Sequence, residues 1–197
     1  MYLEYGSSAV MNNSVLTHNF AGVLQEHVGN LINNVSVNHG HGGVIYAIRQ
    51  SNVTIFDCHF SMNQAANGGG TIQMVYNSIL LIKTSLFFGN SAKFGGAIHM
   101  LANSPLSTDN CSFISNTAGL VGGAVSVYNG ESQFLALISS SVFSHNFASM
   151  GVIYIMDTTA IFNGTVEFSN NSGSVYCLLY TSPSPRDATL SRMPSSA

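Results

Sequence analysis

Two neighbouring stretches decide the fold: Phe87-Phe-Gly-Asn90-Ser-Ala-Lys-Phe-Gly95-Gly-Ala-Ile98 and Phe113-Ile-Ser-Asn116-Thr-Ala-Gly-Leu-Val-Gly122-Gly-Ala-Val125. Each contains an apolar residue followed three positions later by Asn (the asparagine motif), and then a Gly pair followed by a small and a β-branched residue (the glycine motif). The asparagine motif occurs seven times: Leu16–Asn19, Val35–Asn38, Phe60–Asn63, Phe87–Asn90, Phe113–Asn116, Phe143–Asn146 and Phe168–Asn171. The glycine motif occurs at Gly42–Ile45, Gly69–Ile72, Gly95–Ile98 and Gly122–Val125, and in reduced form at Gly151–Ile153.

This regular recurrence predicts a stacked repeat architecture. The Asn positions step by 19, 25, 27, 26, 30 and 25 residues, which is the spacing of solenoid repeats. Between the motifs the chain has short β-branched and aromatic runs and no helical period, and we expect three strands per repeat, such as 44–48, 52–56 and 58–60. Strands of successive repeats would pair about 4.8 Å apart. We therefore predict an all-β, right-handed parallel β-helix of about six to seven rungs.

Both motifs have structural explanations. The Phe residues are expected to stack inside the coil, and each Asn to form a bend, because it tolerates left-handed backbone, and an amide ladder. The Gly pair would permit positive φ and close backbone approach. We expect Phe→Ala to destabilise more than Asn→Ala. The residues assigned these roles are Phe60, Asn63, Phe87, Asn90, Phe113, Asn116, Phe143, Asn146, Phe168, Asn171, Gly42, Gly43, Gly69, Gly70, Gly95, Gly96, Gly122 and Gly123.

The paired motifs resemble the repeats of the polymorphic outer membrane proteins, which are bacterial autotransporter-type surface proteins within the pectin-lyase-like superfamily. The resemblance covers roughly residues 16–176 and is best at Phe87–Ile98 and Phe113–Val125. It implies a right-handed β-helix passenger, exported to a surface and used in adhesion. The first two units depart from it, with Leu16 and Val35 in place of Phe.

Composition narrows the classes of partner. Charged residues make up 7% of the chain and the net charge is −3, so no basic surface for nucleic acid is expected. No run is long and apolar enough to predict a membrane span. We expect a fragment, with its β-helix at 1–176 continuing into neighbouring rungs of a longer parent chain. The segment 177–197 contains Tyr180-Thr-Ser-Pro-Ser-Pro-Arg-Asp187, resembles translated sequencing-adapter read-through, and is predicted to be a disordered, non-native tail.

Cysteines and glycosylation motifs give weaker indications. Cys58 and Cys111 each precede a repeat Phe by two positions, so they should lie two rungs, or ~9.6 Å, apart and beyond disulfide reach, with Ser85 between them. Cys177 lies in the suspect tail. Asn-x-Ser/Thr occurs at Asn12, Asn34, Asn52, Asn110, Asn163 and Asn170. These motifs predict glycosylation only in a chain made in a eukaryotic secretory pathway.

Candidate catalytic and metal-binding residues do not form a pattern. The carboxylates are spread at one or fewer per rung, with no basic neighbour beside them, at Glu4, Glu26, Asp57, Asp109, Glu131, Asp157 and Glu167. His39 and His41 could form a metal site with His59, but a polar bend is the better interpretation. His18 and His145 fill the same slot in distant rungs. We expect no catalytic residues, no cofactor and no metal.

The sequence therefore favours a non-catalytic extracellular or cell-surface solenoid that binds a glycan or a protein. The longest loops, where binding is expected, are Asn103–Asn110 and Asn129–Gln133. The alternative is a fragment of a polysaccharide lyase or hydrolase whose catalytic rungs lie elsewhere.

Overall fold

The computed structural model describes residues 1–21, 40–128, 135–175 and 179–182, and within these ranges the chain coils through four parallel sheets. Sheet A contains β1 (Tyr2–Leu3), β5 (Ile45–Ile48), β9 (Ile72–Val75), β13 (Ile98–Leu101), β17 (Val125–Tyr128), β21 (Ile153–Met156) and β25 (Leu179–Ser182). Sheet B contains β2 (Ser8–Asn12), β6 (Asn52–Phe56), β10 (Ile79–Lys83), β14 (Leu106–Asp109), β18 (Leu135–Ser139) and β22 (Thr159–Asn163). Sheet C contains β3 (Val15–Thr17), β7 (His59–Ser61), β11 (Leu86–Phe88), β15 (Ser112–Ile114), β19 (Val142–Ser144) and β23 (Glu167–Ser169). Sheet D contains β4 (Phe20–Ala21), β8 (Gln64–Ala65), β12 (Ser91–Phe94), β16 (Thr117–Val121), β20 (Phe147–Met150) and β24 (Ser172–Val175).

The predicted parallel β-solenoid is confirmed, but each rung has four strands rather than three. The strand missed from the sequence is that of sheet D, which directly follows the asparagine motif. It is short and contains Gly and Lys, as at Ser91–Phe94 and Thr117–Val121, so its β propensity is weak. The strand forms because the neighbouring rungs supply its backbone partners. Within the described ranges no helix is long and apolar enough to cross a membrane.

The interior of sheet C is a continuous stack of phenylalanine rings. Phe60, Phe87, Phe113 and Phe143 are fully buried. Their ring centroids are 5.0, 4.9 and 4.8 Å apart in turn, and the ring planes lie within 14° of parallel. Phe168 continues the stack at 5.2 Å. This spacing is close to the strand separation, so each rung contributes one ring and buries a face of the next.

The asparagines of the same motif form a ladder beside the rings. The side-chain amide of Asn116 donates to Oδ1 of Asn146 at 3.0 Å and to the carbonyl of Phe87 at 3.0 Å. Its own Oδ1 accepts from the backbone and side-chain nitrogens of Asn90, both at 3.0 Å. The expectation that the Asn itself adopts left-handed backbone is wrong. Positive φ belongs to the preceding residue, for example Ser115 at 55°, because the Asn uses its side chain to bridge rungs.

The two glycines of each pair have different tasks, illustrated at Gly95 and Gly96. Gly95 has a φ of 59°, a conformation that L side chains rarely adopt. Gly96 lies so close to the next rung that a Cβ would overlap the carbonyl oxygen of Gly123. Close approach of two backbones therefore requires the second glycine, and left-handed backbone requires the first.

The order of rungs differs from the sequence prediction at the N-terminal side. Leu16 of β3 pairs directly with Phe60 of β7, and Asn19 donates to Asn63. The copy Val35–Asn38 lies outside the described residues. The strand pairing therefore places the rung of Leu16 directly beside the rung of Phe60. Their ladder residues, Asn19 and Asn63, are 44 residues apart in the sequence.

The segment expected to be a disordered tail contributes one strand. β25 (Leu179–Ser182) pairs in parallel with β21, with Ile153 opposite Leu179. Backbone hydrogen bonds to a sheet edge need no particular side chains, so a strand can form here despite the change in composition. Residues 183–197 and Cys177 lie outside the described ranges.

Cys58 and Cys111 are both free and buried in the turns between sheets B and C. The hydroxyl of Ser85 accepts a hydrogen bond from the backbone nitrogen of Cys58 at 3.1 Å, and Ser141 does the same for Cys111 at 3.2 Å. Burial raises the pKa of the Cys111 thiol to about 11, which makes it an inert structural group. Ser85 thus separates the two thiols, as the spacing predicted.

Candidate functional site

The strongest candidate for a binding surface is a group of aromatic side chains, together with one arginine, on the first described rungs of sheet A. We call it the tyrosine cluster, and it comprises Tyr2, Tyr5, Tyr46, Tyr76, His41 and Arg49. Tyr46 points outward from β5 because its neighbours Ile45 and Ala47 point into the core. Its ring lies between two others, with centroids 5.6 Å from Tyr2 and 5.2 Å from His41.

A charged pair borders these rings. Arg49 follows β5 and forms an ion pair with Glu4, which follows β1. The same guanidinium lies over the ring of Tyr5, 4.6 Å from its centroid, and donates to the Tyr5 hydroxyl at 2.6 Å. Cation–π contact and the ion pair together hold the exposed Tyr5 ring in one orientation.

The cluster is accessible to a ligand on its outer side. Tyr2, Tyr5 and Tyr76 are 40, 73 and 56% exposed, which makes a large accessible aromatic area. Burial raises the pKa of Tyr46, and the nearby Tyr76 raises it further. Burial and a hydrogen bond to Glu4 raise the pKa of Tyr2. The hydroxyls of Tyr46 and Tyr2 are therefore neutral at physiological pH.

A buried polar row continues from the cluster across sheet A. Tyr46 is in register with Gln73 of β9, and Gln73 with His99 of β13. Gln73 and His99 point outward, yet they are only 2 and 7% exposed, because the bend that links sheets D and A folds over them. His41 Nδ1 lies 2.9 Å from Oε1 of Gln73, and the His99 ring stacks on Phe94 at 5.5 Å.

Gly68 allows the bend between sheets D and A to lie this close to Gln73 and His99. It forms parallel bridges with His41 on one side and Phe94 on the other. A Cβ at this position would overlap Nδ1 of His99 and crowd the side-chain oxygen of Gln73. Nδ1 of His99 is buried and has no hydrogen-bond partner among the described residues. The row therefore joins the tyrosine cluster to a histidine held in its neutral form.

Because His99 is buried in its neutral form, we expect the protein to lose stability in acid. Burial, and to a lesser extent charge on His41, lower the pKa of His99 from 6.5 to about 4. Between these pH values the unfolded chain binds the proton more tightly, so stability is complete above pH 6.5 and falls as the pH drops toward 4. We expect the free energy of unfolding to fall by about 2 kcal/mol more between pH 7 and 4.5 in the wild type than in His99→Gln. Urea titrations of both proteins at the two pH values measure this difference, and equal losses would contradict it.

The histidines singled out in the sequence do not come together. His41 lies at the bend between sheets D and A, whereas His59 lies on β7 of sheet C. His39 is outside the described residues. His18 and His145 both occupy exposed left-handed turn positions, in rungs that are far apart. Within the described ranges no group of three potential ligands could hold a metal ion.

The carboxylates are also dispersed, and although none has a basic residue beside it in the sequence, two have one in a neighbouring rung. Arg49 pairs with Glu4, and Lys83 is in register with Asp109 in the next rung. Both pairings join residues that are distant in sequence, so only the register shows them. On its other side Lys83 is in register with Phe56, the residue before Asp57. Glu26 and Glu131 are outside the described ranges, and the absence of catalysis stays a prediction.

Half of one of the two predicted binding loops is strand. In the stretch Asn103–Asn110, residues Leu106–Asp109 form β14, and the side chains of Leu106 and Thr108 are buried in the core. Pro105 and the flanking Asn residues suggested a loop, but Pro105 only precedes the strand, where its missing N–H costs nothing. The other loop, Asn129–Gln133, lies outside the described residues.

The sequence analysis missed the tyrosine cluster and the buried row, although the repeats contain a signal for the row. Aligning the glycine motifs places Tyr46, Gln73, His99, Ser126 and Tyr154 at one equivalent position, each between inward-facing residues. Reading the repeats as columns would have found this polar column. The contacts of Tyr2 with Tyr46, and of Glu4 and Tyr5 with Arg49, join side chains 44 or 45 residues apart, and no local pattern indicates them.

Comparison with known proteins gives one match. A family model described as right handed beta helix region matches residues 1–135, more than half of the chain. No curated protein and no solved structure matches.

Proposed function

Because the chain belongs to the right-handed β-helix family, which includes both enzymes and non-enzymes, we propose a non-catalytic role in which it binds a glycan at a cell surface. The fold supplies a rigid scaffold on which one face can be displayed. The likeness of its repeats to those of polymorphic outer membrane proteins supports the surface location and an adhesive use.

The observation that carries this proposal is the tyrosine cluster. Aromatic faces such as those of Tyr2 and Tyr76 pack against the apolar faces of sugar rings. The Arg49–Glu4 pair and the tyrosine hydroxyls offer donors and acceptors for sugar hydroxyls. A few polar groups placed around an aromatic surface are typical of small-ligand sites. Glu4, the carboxylate beside the cluster, is already paired with Arg49, which favours binding over acid–base catalysis.

Binding to a glycan array tests the proposal. We expect the full chain to bind at least one class of oligosaccharide, and Tyr76→Ala to weaken that binding about tenfold or more, equivalent to about 1.4 kcal/mol. Tyr76 is 56% exposed, so its removal should leave the fold intact. Isothermal titration calorimetry with the best oligosaccharide gives the affinity.

Tyr128→Ala is the matched control, because Tyr128 is 42% exposed on β17, outside the cluster. Its affinity should equal that of the wild type. Equal losses in both variants would contradict a site at the cluster. Release of new reducing or unsaturated sugar ends during the titration would contradict the non-catalytic role.

A further inference from the structure

The Asn-x-Ser/Thr motifs are a sequence feature that the proposed binding site does not use. Five of the six lie in the described ranges, and all five asparagines have exposed side chains. They are Asn12, Asn52, Asn110, Asn163 and Asn170. The sixth, Asn34, lies outside these ranges.

The asparagines of the ladder never stand in such a motif. Two positions after them the chain has Ala or Gly, as at Ala65, Ala118 and Ala148, whose side chains are buried in the interior of sheet D. A hydroxyl at that position would be placed in the core without a partner. The fold therefore separates buried structural asparagines from exposed asparagines that can be modified.

Three of the exposed asparagines lie on one edge, where sheet B turns into sheet C. Asn12 ends β2 and Asn163 ends β22, and they occupy the same register position in rungs one and six of the stack. Asn110 follows β14 in rung four. At the usual strand spacing these side chains are separated by about 10–14 Å along the axis, enough for separate glycans.

The rest of this edge is also adapted to water. Asn13, Asp57, Lys83, Thr84 and Ser140 on this edge are exposed as well. No member of the tyrosine cluster lies there, because the cluster is on sheet A and at its turn into sheet B. Bulky groups on the edge would leave the proposed binding surface uncovered.

We propose that Asn12, Asn110 and Asn163 carry N-linked glycans, an inference that rests on the extracellular location in the proposed function being reached through a eukaryotic secretory pathway. In this modification the side-chain amide nitrogen attacks the anomeric carbon of a lipid-pyrophosphate-linked oligosaccharide. A C–N bond forms, the C–O bond to pyrophosphate breaks, the lipid pyrophosphate leaves with the electron pair, and the amide nitrogen loses one proton. The hydroxyls that complete the motifs are those of Ser14, Ser112 and Thr165.

Secretion of the full chain from a eukaryotic cell line, behind an added signal peptide, tests the inference. Peptide N-glycosidase treatment in ¹⁸O water, followed by peptide mass spectrometry, should show Asp labelled with ¹⁸O at positions 12, 110 and 163. Ser14→Ala, Ser112→Ala and Thr165→Ala should each remove one glycan from the intact mass. Ser140→Ala, a hydroxyl on the same edge outside any motif, should remove none.

If the cells retain the protein, translation with endoplasmic-reticulum microsomes gives the same count from endoglycosidase-sensitive bands. Unmodified Asn12, Asn110 and Asn163, or glycans confined to Asn52 and Asn170, would overturn the inference. Protein made in bacteria lacks these glycans, and its binding to the glycan array is measured separately. Failure of this inference and failure of the proposed function can therefore be distinguished.

Discussion

Replacing Phe113 by Ala should lower the free energy of unfolding by about 5 kcal/mol, the upper part of the range for a buried aromatic residue. The ring of Phe113 is fully buried, 4.9 Å from that of Phe87 and 4.8 Å from that of Phe143. Both neighbours are fixed by strand pairing, so they cannot move together to fill the space. The remaining cavity therefore adds to the lost burial of the ring.

Urea unfolding followed by circular dichroism measures this loss. Phe113→Leu keeps most of the volume and should cost only about 1–2 kcal/mol. Phe147→Ala is the matched control, because Phe147 is 42% exposed on sheet D and should cost well under 1 kcal/mol. If Phe113→Ala and Phe147→Ala lost the same stability, the ring stack would not be the core of the fold.

Replacing Asn116 by Ala should cost about 3–4 kcal/mol, which brings it close to the phenylalanine rather than well below it. The amide oxygen of Asn116 accepts from two nitrogens of Asn90, and its amide nitrogen donates to the carbonyl of Phe87. Truncation leaves these buried groups without a partner, at about 1–3 kcal/mol for each fully stranded group.

Asn116→Asp separates lost hydrogen bonds from lost volume, because Asp has the same shape and no side-chain N–H. At neutral pH, Asn116→Asp should lower the free energy of unfolding at least as much as Asn116→Ala does, and the same urea experiment measures both losses. Asn52→Ala, an exposed strand position, should change stability by less than about half a kcal/mol. Near-wild-type stability of Asn116→Asp would show that the ladder contributes little.

The sequence predicts the scaffold well because each rung repeats the same local chemistry. Phe113 and Asn116 sit at matching positions in successive units, so their stacking and bonding follow from the period alone. The cluster around Tyr46 could not be predicted in this way. Arg49 reaches Glu4 and Tyr5 across a gap that includes the 18 residues 22–39 outside the described ranges. Contacts of this kind depend on which rungs are neighbours, and the motif Val35–Asn38 suggested a different order.

The asparagine ladder also has a direction along the solenoid axis. From Asn63 to Asn171 each Oδ1 accepts from the preceding Asn of the ladder, and from Asn19 to Asn146 each side-chain nitrogen donates to the following one. The six side-chain dipoles therefore point the same way. Aligned amides polarise one another, which strengthens the bonds in the middle of the series most. A rung duplicated in tandem extends this aligned series, whereas a rung inserted in the opposite orientation would bring carbonyl against carbonyl. The polarity of the ladder thus restricts growth of such an array to duplication in one direction.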